Sequence, residues 1–263
     1  MKYQFKILSA NYLEQYLKEQ PYTLSKHFKK LREADLSVSA FNFIVASSVF
    51  SSNIEGNPID IDTYWRFTEM GINLKTKPYK EIKDLVKAYE FAQKHKLTYE
   101  NVLKTHKYLT KTLLKERPDY SGKIRNRAVC IEKSVTREVI YQATEHELVD
   151  AELIKMFADI DQLLKQELSI DEVFYFASMV HLRFAQIHSF VDGNGRTARL
   201  LEKWFIAEKL GNTAWYIQSE RNYHKKITAY YRNIHLGKDY DHLNYDVCMP
   251  FLLMLPSAIK LKS

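Results

Sequence analysis

Apolar side chains recur three and four positions apart along most of this 263-residue chain, the spacing that lines one face of an α-helix. Residues 39–54, 98–114, 150–166, 171–187 and 197–210 each carry that pattern. The first, "SAFNFIVASSVFSSNI", is too long for an ordinary strand and stops before Gly56-Asn57-Pro58, a common helix-ending signal. "DEVFYFASMVHLRFAQI" is apolar almost all round, which predicts a central, buried helix. The last stops at Gly211. Residues 123–143 break the pattern: alternating and β-branched residues flank a polar centre, which predicts a hairpin. The expected fold is all-α with one small β-hairpin.

Composition narrows this picture slightly. With 46% hydrophobic residues the chain buries an ordinary globular core, and 7 Gly and 6 Pro argue against a turn-rich all-β fold. No apolar run approaches the ~20 residues that span a bilayer, and the first residues carry charges throughout with no signal-peptide core. No membrane partner is expected. Cys130 and Cys248 stand alone, which reads as reduced thiols in a cytoplasm, with no structural zinc site. The net charge of +7 permits nucleic acid, an anionic surface or a polyphosphate as partner. The lysines are dispersed among acids and no recognition helix is evident, so nucleic acid is disfavoured. No βαβ unit, GxGxxG or GxxxxGKS loop is present, against Rossmann and P-loop chemistry.

"IHSFVDGNGRTARL" (187–200) concentrates the chemistry. Taken singly, His188 is a core histidine, "DGNG" a helix connection, and Arg196 with Arg199 a solvated face. Together they form something more specific. Gly193, Asn194 and Gly195 let backbone N–H groups converge as an anion nest. The helix expected to begin near Arg196 points its positive end there. Arg196 and Arg199 share its first turn, where basic side chains oppose the helix dipole unless an anion is bound. His188 suits a general base. Asp192 suits Mg²⁺, which takes one or two protein oxygens and completes its shell with phosphate and water.

The run from His188 to Arg199 resembles the Fic family motif HxFx[D/E]GNGRxxR at every defined position; Ser189 stands where many members have Pro. The resemblance implies a helical fold and transfer of AMP from ATP to a Ser, Thr or Tyr hydroxyl of a target protein. It implies His188 as base, Asp192 as the ligand of Mg²⁺ (Mn²⁺ acceptable), Gly193, Asn194 and Gly195 as anion hole, and Arg196 and Arg199 on the β- and γ-phosphates. "LTYENVLKTHKYL" and "DYSGKIRNRAV", with Gly122 and Arg125, are similar to the segments leading to the family's flap. The target would dock on that flap, 123–143, by strand addition. Tyr230 and Tyr231 match a Tyr pair that approaches adenine in the family. The Asn that follows about two turns later in relatives is missing; Leu236-Gly237 occupy its place.

"SSNIEG" resembles the family's inhibitory motif [S/T]xxxE[G/N], with Ser51, Glu55 and Gly56 on its defined positions. A carboxylate at the last turn of a helix opposes the negative end of the dipole and needs a cation. Arg199 is the expected partner, blocking productive γ-phosphate placement. The expected organisation is an N-terminal region 1–97 carrying the inhibitory helix (about 39–56), a Fic core 98–241 and a helical tail 242–263, as one unit. The function read from the sequence is protein adenylyltransferase, autoinhibited by Glu55. Removal of AMP by the same site, transfer of another phosphate-containing group, and a nucleotide- or nucleic-acid-binding regulator are the alternatives. A homodimer is compatible with all of them.

Overall fold

In the computed structural model, which describes residues 3–34, 40–72, 74–132 and 136–259, the helices are α1 (Leu13–Glu19), α2 (Leu24–Glu33), α3 (Ala40–Ile54), α4 (Ile61–Glu69), α5 (Lys77–Lys94) and α6 (Tyr99–Leu109). A hairpin, β1 (Cys130–Glu132) and β2 (Val139–Gln142), follows. Then come α7 (Val149–Lys165), α8 (Ile170–Ile187), α9 (Asn194–Leu210), α10 (Ser219–Lys225), α11 (Ile227–Ile234) and α12 (Met249–Leu252). The protein is mainly helical with a two-stranded antiparallel sheet, the expected class.

The centre is α8. Ser169 starts it with a capping box: Ser169 Oγ accepts from the Glu172 N–H and the Ser169 N–H donates to Glu172 Oε2. Every residue from Val173 to Leu182 is then buried. A helix buried on all sides needs neighbours on all sides, and α1, α2, α7, α9 and α12 supply them. The buried apolar cluster runs from Leu8 to Ile259, so all three expected segments share one core. The N-terminal segment is pinned by Asp159 of α7, whose carboxylate accepts the N–H groups of Lys6, Ile7 and Leu8.

Several boundaries differ from expectation, each for a local reason. Thr98 is not the first residue of α6 but its N-cap, its hydroxyl accepting from Asn101 N–H. The same helix stops at Leu109 rather than continuing to 114. The Thr110 hydroxyl donates back to His106 O, and Asp84 Oδ2 takes the Thr112 N–H that a further turn would use. The hairpin strands are shorter than the expected 123–143, with Cys130 opposite Gln142 and Ile131 opposite Tyr141. Its polar centre, 133–135, lies outside the described residues, as do Ser39, the first residue of the expected helix 39–54, and the end of the tail, 260–263. Among the described residues, β1 pairs only with β2, whereas Gln142 of β2 also exchanges backbone bonds with Lys238 and Tyr240. Both cysteines are free. No helix among the described residues is long and apolar enough to cross a membrane.

Candidate active site

The site is built on the turn between α8 and α9. His188 ends α8 in the left-handed region, φ 52° and ψ 57°, a conformation that terminates helices and costs about 1–2 kcal/mol for a non-glycine residue. Arg125, itself buried, holds that end. Its Nε donates to His188 O at 2.8 Å, and its Nη2 to Thr144 O at 2.5 Å and Ile187 O at 3.4 Å. A cation thereby meets the negative end of α8 and ties it to both sides of the hairpin, since Nη1 also donates to Arg127 O.

The loop closes on itself through Asn194. Its Oδ1 accepts the Phe190 N–H and its Nδ2 donates to Phe190 O. The Asn194 side chain is therefore loop scaffold, and what it can offer an anion is its backbone N–H. Gly193 has φ 83°, and a Cβ there would stand 3.0–3.3 Å from Thr110, Leu109 and His106. Only glycine suits both the conformation and the space. His106 braces the loop from below. Gly122 N–H donates to His106 Nδ1, so Nε2 carries the hydrogen and donates to Asp192 O at 2.9 Å. The ring also stacks on Phe190 with centroids 3.6 Å apart.

Burial holds His106 down to about 4 from its ordinary 6.5, against the raising effect of the Asp192 carbonyl. An unfolded chain therefore takes up this proton at a higher pH than the fold does, and stability is lost as pH falls from 6.5 toward 4. At ~1.4 kcal/mol per unit, His106 should make the protein about 2 kcal/mol less stable at pH 4.5 than at pH 7. Urea unfolding at both pH values checks this: the drop should shrink by about that amount in His106→Gln. An equal drop in both proteins excludes the buried neutral histidine.

α9 begins at Asn194, two residues before the expected start near Arg196, so Asn194, Gly195 and Arg196 open its first turn and Arg199 falls in its second rather than sharing the first. The N–H groups of Asn194, Gly195 and Arg196 precede the first helical bond, Thr197 N–H to Gly193 O. Both arginines are buried rather than solvated, Arg196 at 6% and Arg199 at 0% exposure. Buried guanidinium groups need acceptors. Arg199 has four: Nε donates to Ser51 Oγ at 2.9 Å, Nη2 to Ser51 O at 2.9 Å and Glu55 Oε1 at 2.7 Å, and Nη1 to the Tyr230 hydroxyl at 3.2 Å. Glu55 Oε1 also stands where a Cβ on Gly195 would clash. A carboxylate of the chain itself thus sits on the first turn of α9.

Glu55 reaches that point because α3 ends in a Schellman motif. Asn57 N–H donates to Ser52 O and Gly56 N–H to Asn53 O, with Gly56 at φ 86°. Glu55 is the residue just past the last helical one, not inside the final turn. Burial would raise its pKa, but Arg199 and Arg196 outweigh it and hold the carboxylate below its ordinary value. Asn57 anchors the following loop by donating to Pro78 O at the start of α5.

Tyr230 and Tyr231, the expected base contacts, lie against Arg199 and α3. Tyr230 is buried, its hydroxyl between Arg199 and His181 Nε2. Tyr231 is half exposed and donates to Ile54 O, the last carbonyl of α3. The pair thus supports Arg199 and the end of α3. One turn further along both helices, Lys203 of α9 donates to Ser47 of α3 and to Glu220. The i, i+4 spacing of Ser47, Ser51 and Glu55 thus faces the i, i+4 spacing of Arg199 and Lys203, docking α3 on α9 through polar rungs.

His188 is half-buried. Its Nδ1 lies 3.3 Å from Ala185 O, an acceptor only, so Nδ1 carries the hydrogen and Nε2 keeps its lone pair. Burial is the main cause that pushes its pKa down to about 4, so the ring is neutral at physiological pH. Asp192 Oδ1 accepts the Gly193 N–H at 2.7 Å. Arg196 meets a residue that sequence reasoning did not single out, Glu81 of α5, at 3.4 Å. Nothing in "KPYKEIKDLVKAYE" separates Glu81 from a solvated face. His106 was in principle visible, because it falls on the buried stripe of α6 between Val102 and Leu109.

Residues 96–206 match the family model described as the Fic/DOC family. No curated protein sequence matches the chain. The fold is similar to a Fic family protein from Desulfovibrio desulfuricans G20, with TM-score 0.72 and 19% identity over 98% of this chain and 74% of that one. It is also similar to a Fic domain containing signaling protein from Bacteroides thetaiotaomicron VPI-5482, with TM-score 0.69 and 20% identity over 94% and 92%. Fic-1 from C. elegans gives 0.64 and 16% over 94% and 69%. At these identities the likeness is one of fold. The family match itself covers residues 96–206, the segment that contains the α8–α9 turn, and there the chain carries a Fic/DOC family domain.

Proposed function

We propose that the protein is an adenylyltransferase, moving AMP from ATP to a Ser, Thr or Tyr hydroxyl of a target protein, and that Glu55 restrains it. One observation carries the reading: a carboxylate of the chain occupies the first turn of α9 and the Arg199 guanidinium together, the place an anion binding there must take.

His188 Nε2 takes the proton of the target hydroxyl, whose oxygen attacks the α-phosphorus. The bond to the bridging oxygen of the β-phosphate breaks, and pyrophosphate leaves. The first-turn N–H groups of α9 with Arg196 and Arg199 receive its charge, positioned before the reaction begins. Asp192 is the carboxylate beside this cradle, with Oδ2 left over from its turn hydrogen bond, and fits a divalent cation. When bound, Mg²⁺ would neutralise phosphate charge there. The target would add a strand along β1, which pairs on one side only among the described residues.

The opposite direction has one observation of its own. Glu55 Oε2 makes no hydrogen bond among the described residues, while Oε1 holds Arg199, so Oε2 could orient water for removal of AMP.

The test uses Glu55→Gly protein in lysate of the source cell with Mg²⁺ and ATP labelled at either the α- or the γ-phosphate. Label should enter protein from α-labelled ATP only. Incorporation from γ-labelled ATP would make it a phosphotransferase, and Glu55-dependent loss of label from a premodified target would favour the reverse direction.

A further inference from the structure

Arg196 and Arg199 lie one turn apart on α9 but are held in opposite ways. Arg199 is saturated by Ser51, Glu55 and Tyr230. The Arg196 side chain is nearly as buried, yet among the described residues its one hydrogen-bonding partner is Glu81, whose Oε2 lies 3.4 Å from Nη2. Its Nε is buried with no acceptor among the described residues. A buried guanidinium N–H without an acceptor is costly, and native structures rarely leave one. The group is therefore held through Nη2, with the neighbouring Nε of the same edge unbonded.

Glu81 is suited to hold it. Its side chain is 12% exposed, on a helix whose buried face includes Tyr79, Ile82, Leu85 and Tyr89. Lys77, one turn back, lies 3.8 Å from Glu81 Oε1. The start of α5 is itself fastened by Asn57 to the loop that follows Glu55.

We infer that Glu81 is a positioning residue of the phosphate site, fixing Arg196 through Nη2 so that Nε remains available to a phosphate oxygen. The inference rests on the nucleotide reading above. It assigns the two carboxylates opposite roles. Glu55 must leave Arg199 before that arginine can take a phosphate, whereas Glu81 stays on Arg196 throughout. An arginine fixed in advance loses less rotamer freedom on binding.

Calorimetric titration of the full chain with ADP and Mg²⁺, in the Glu55→Gly background, tests this. Glu81→Ala should weaken ADP about tenfold, from lost preorganisation. Glu81→Gln, which keeps an acceptor oxygen without the charge, should stay within about threefold of its parent and bind no tighter. Equal or tighter binding by Glu81→Ala, or tighter binding by Glu81→Gln, overturns the inference alone and makes Glu81 a competing counter-charge. No ADP binding by the Glu55→Gly parent overturns the nucleotide reading and this inference with it. The Gln variant decides the matter if the Ala variant does not fold, as judged by its thermal midpoint.

Discussion

Glu55→Gly should raise AMP incorporation by about ten- to hundredfold. Releasing a charge-assisted hydrogen bond of about 1.5–3 kcal/mol frees that much energy for Arg199 to place a phosphate, and each ~1.4 kcal/mol is a factor of ten. Two obstacles go together, because Oε1 both binds Arg199 and lies against Gly195 on the first turn of α9. Activation should carry a stability loss. Arg199 is fully buried, and without Glu55 its remaining partners are the neutral Ser51 and Tyr230. Glu55→Gln keeps an acceptor but not the charge and should fall between the two proteins. Label transfer and thermal unfolding read the two effects separately. Unchanged incorporation with a lowered midpoint would mean that Glu55 is structural only.

The same pair shows what a sequence can and cannot reveal. Glu55 was legible because it sits at the negative end of its own helix dipole and asks for a cation, whereas Arg199, in the second turn of α9, was legible from the motif spacing. α8 was legible because its apolar run is too long for a strand and apolar almost all round, and α6 and α7 because their periodicity is clear. What escaped was of three kinds. Tyr230 and Tyr231 fit a family pattern, but a Tyr–Tyr pair does not say which hydroxyl faces inward; only the crossing of α11 beside α3 and α9 puts one under Arg199 and the other on Ile54 O. Asn194 was read for its backbone N–H, and the part its side chain plays in closing the loop on Phe190 was not legible. Glu81 and His106 act from helices distant in sequence, so their partners, Arg196 and the Asp192 carbonyl, are products of the fold. Helix ends failed where side chains intercepted the backbone, as Thr110 and Asp84 do at the end of α6.

His188→Ala should lower AMP incorporation about a thousandfold, the middle of the range for a general base, in wild-type and Glu55→Gly backgrounds alike. The argument depends on what His188 does not hold together. Its backbone carbonyl anchors Arg125, and alanine preserves that. Its ring makes one long bond, 3.3 Å, to Ala185 O. ADP affinity and thermal midpoint should therefore change little, which separates loss of a base from collapse of the cradle. The ring titrates near 4, mainly because it is desolvated, so it is already deprotonated at neutral pH. A base of such low pKa is weak, and Brønsted behaviour favours one nearer the working pH. Bound phosphates, bringing negative charge close to the ring, should raise it. The acid limb of the pH–rate profile should accordingly lie higher for kcat, which reports the nucleotide complex, than for kcat/KM, which reports the free enzyme. Coincident limbs would remove the phosphates as the cause. Retention of more than a tenth of the parent activity by His188→Ala would move the base to another residue.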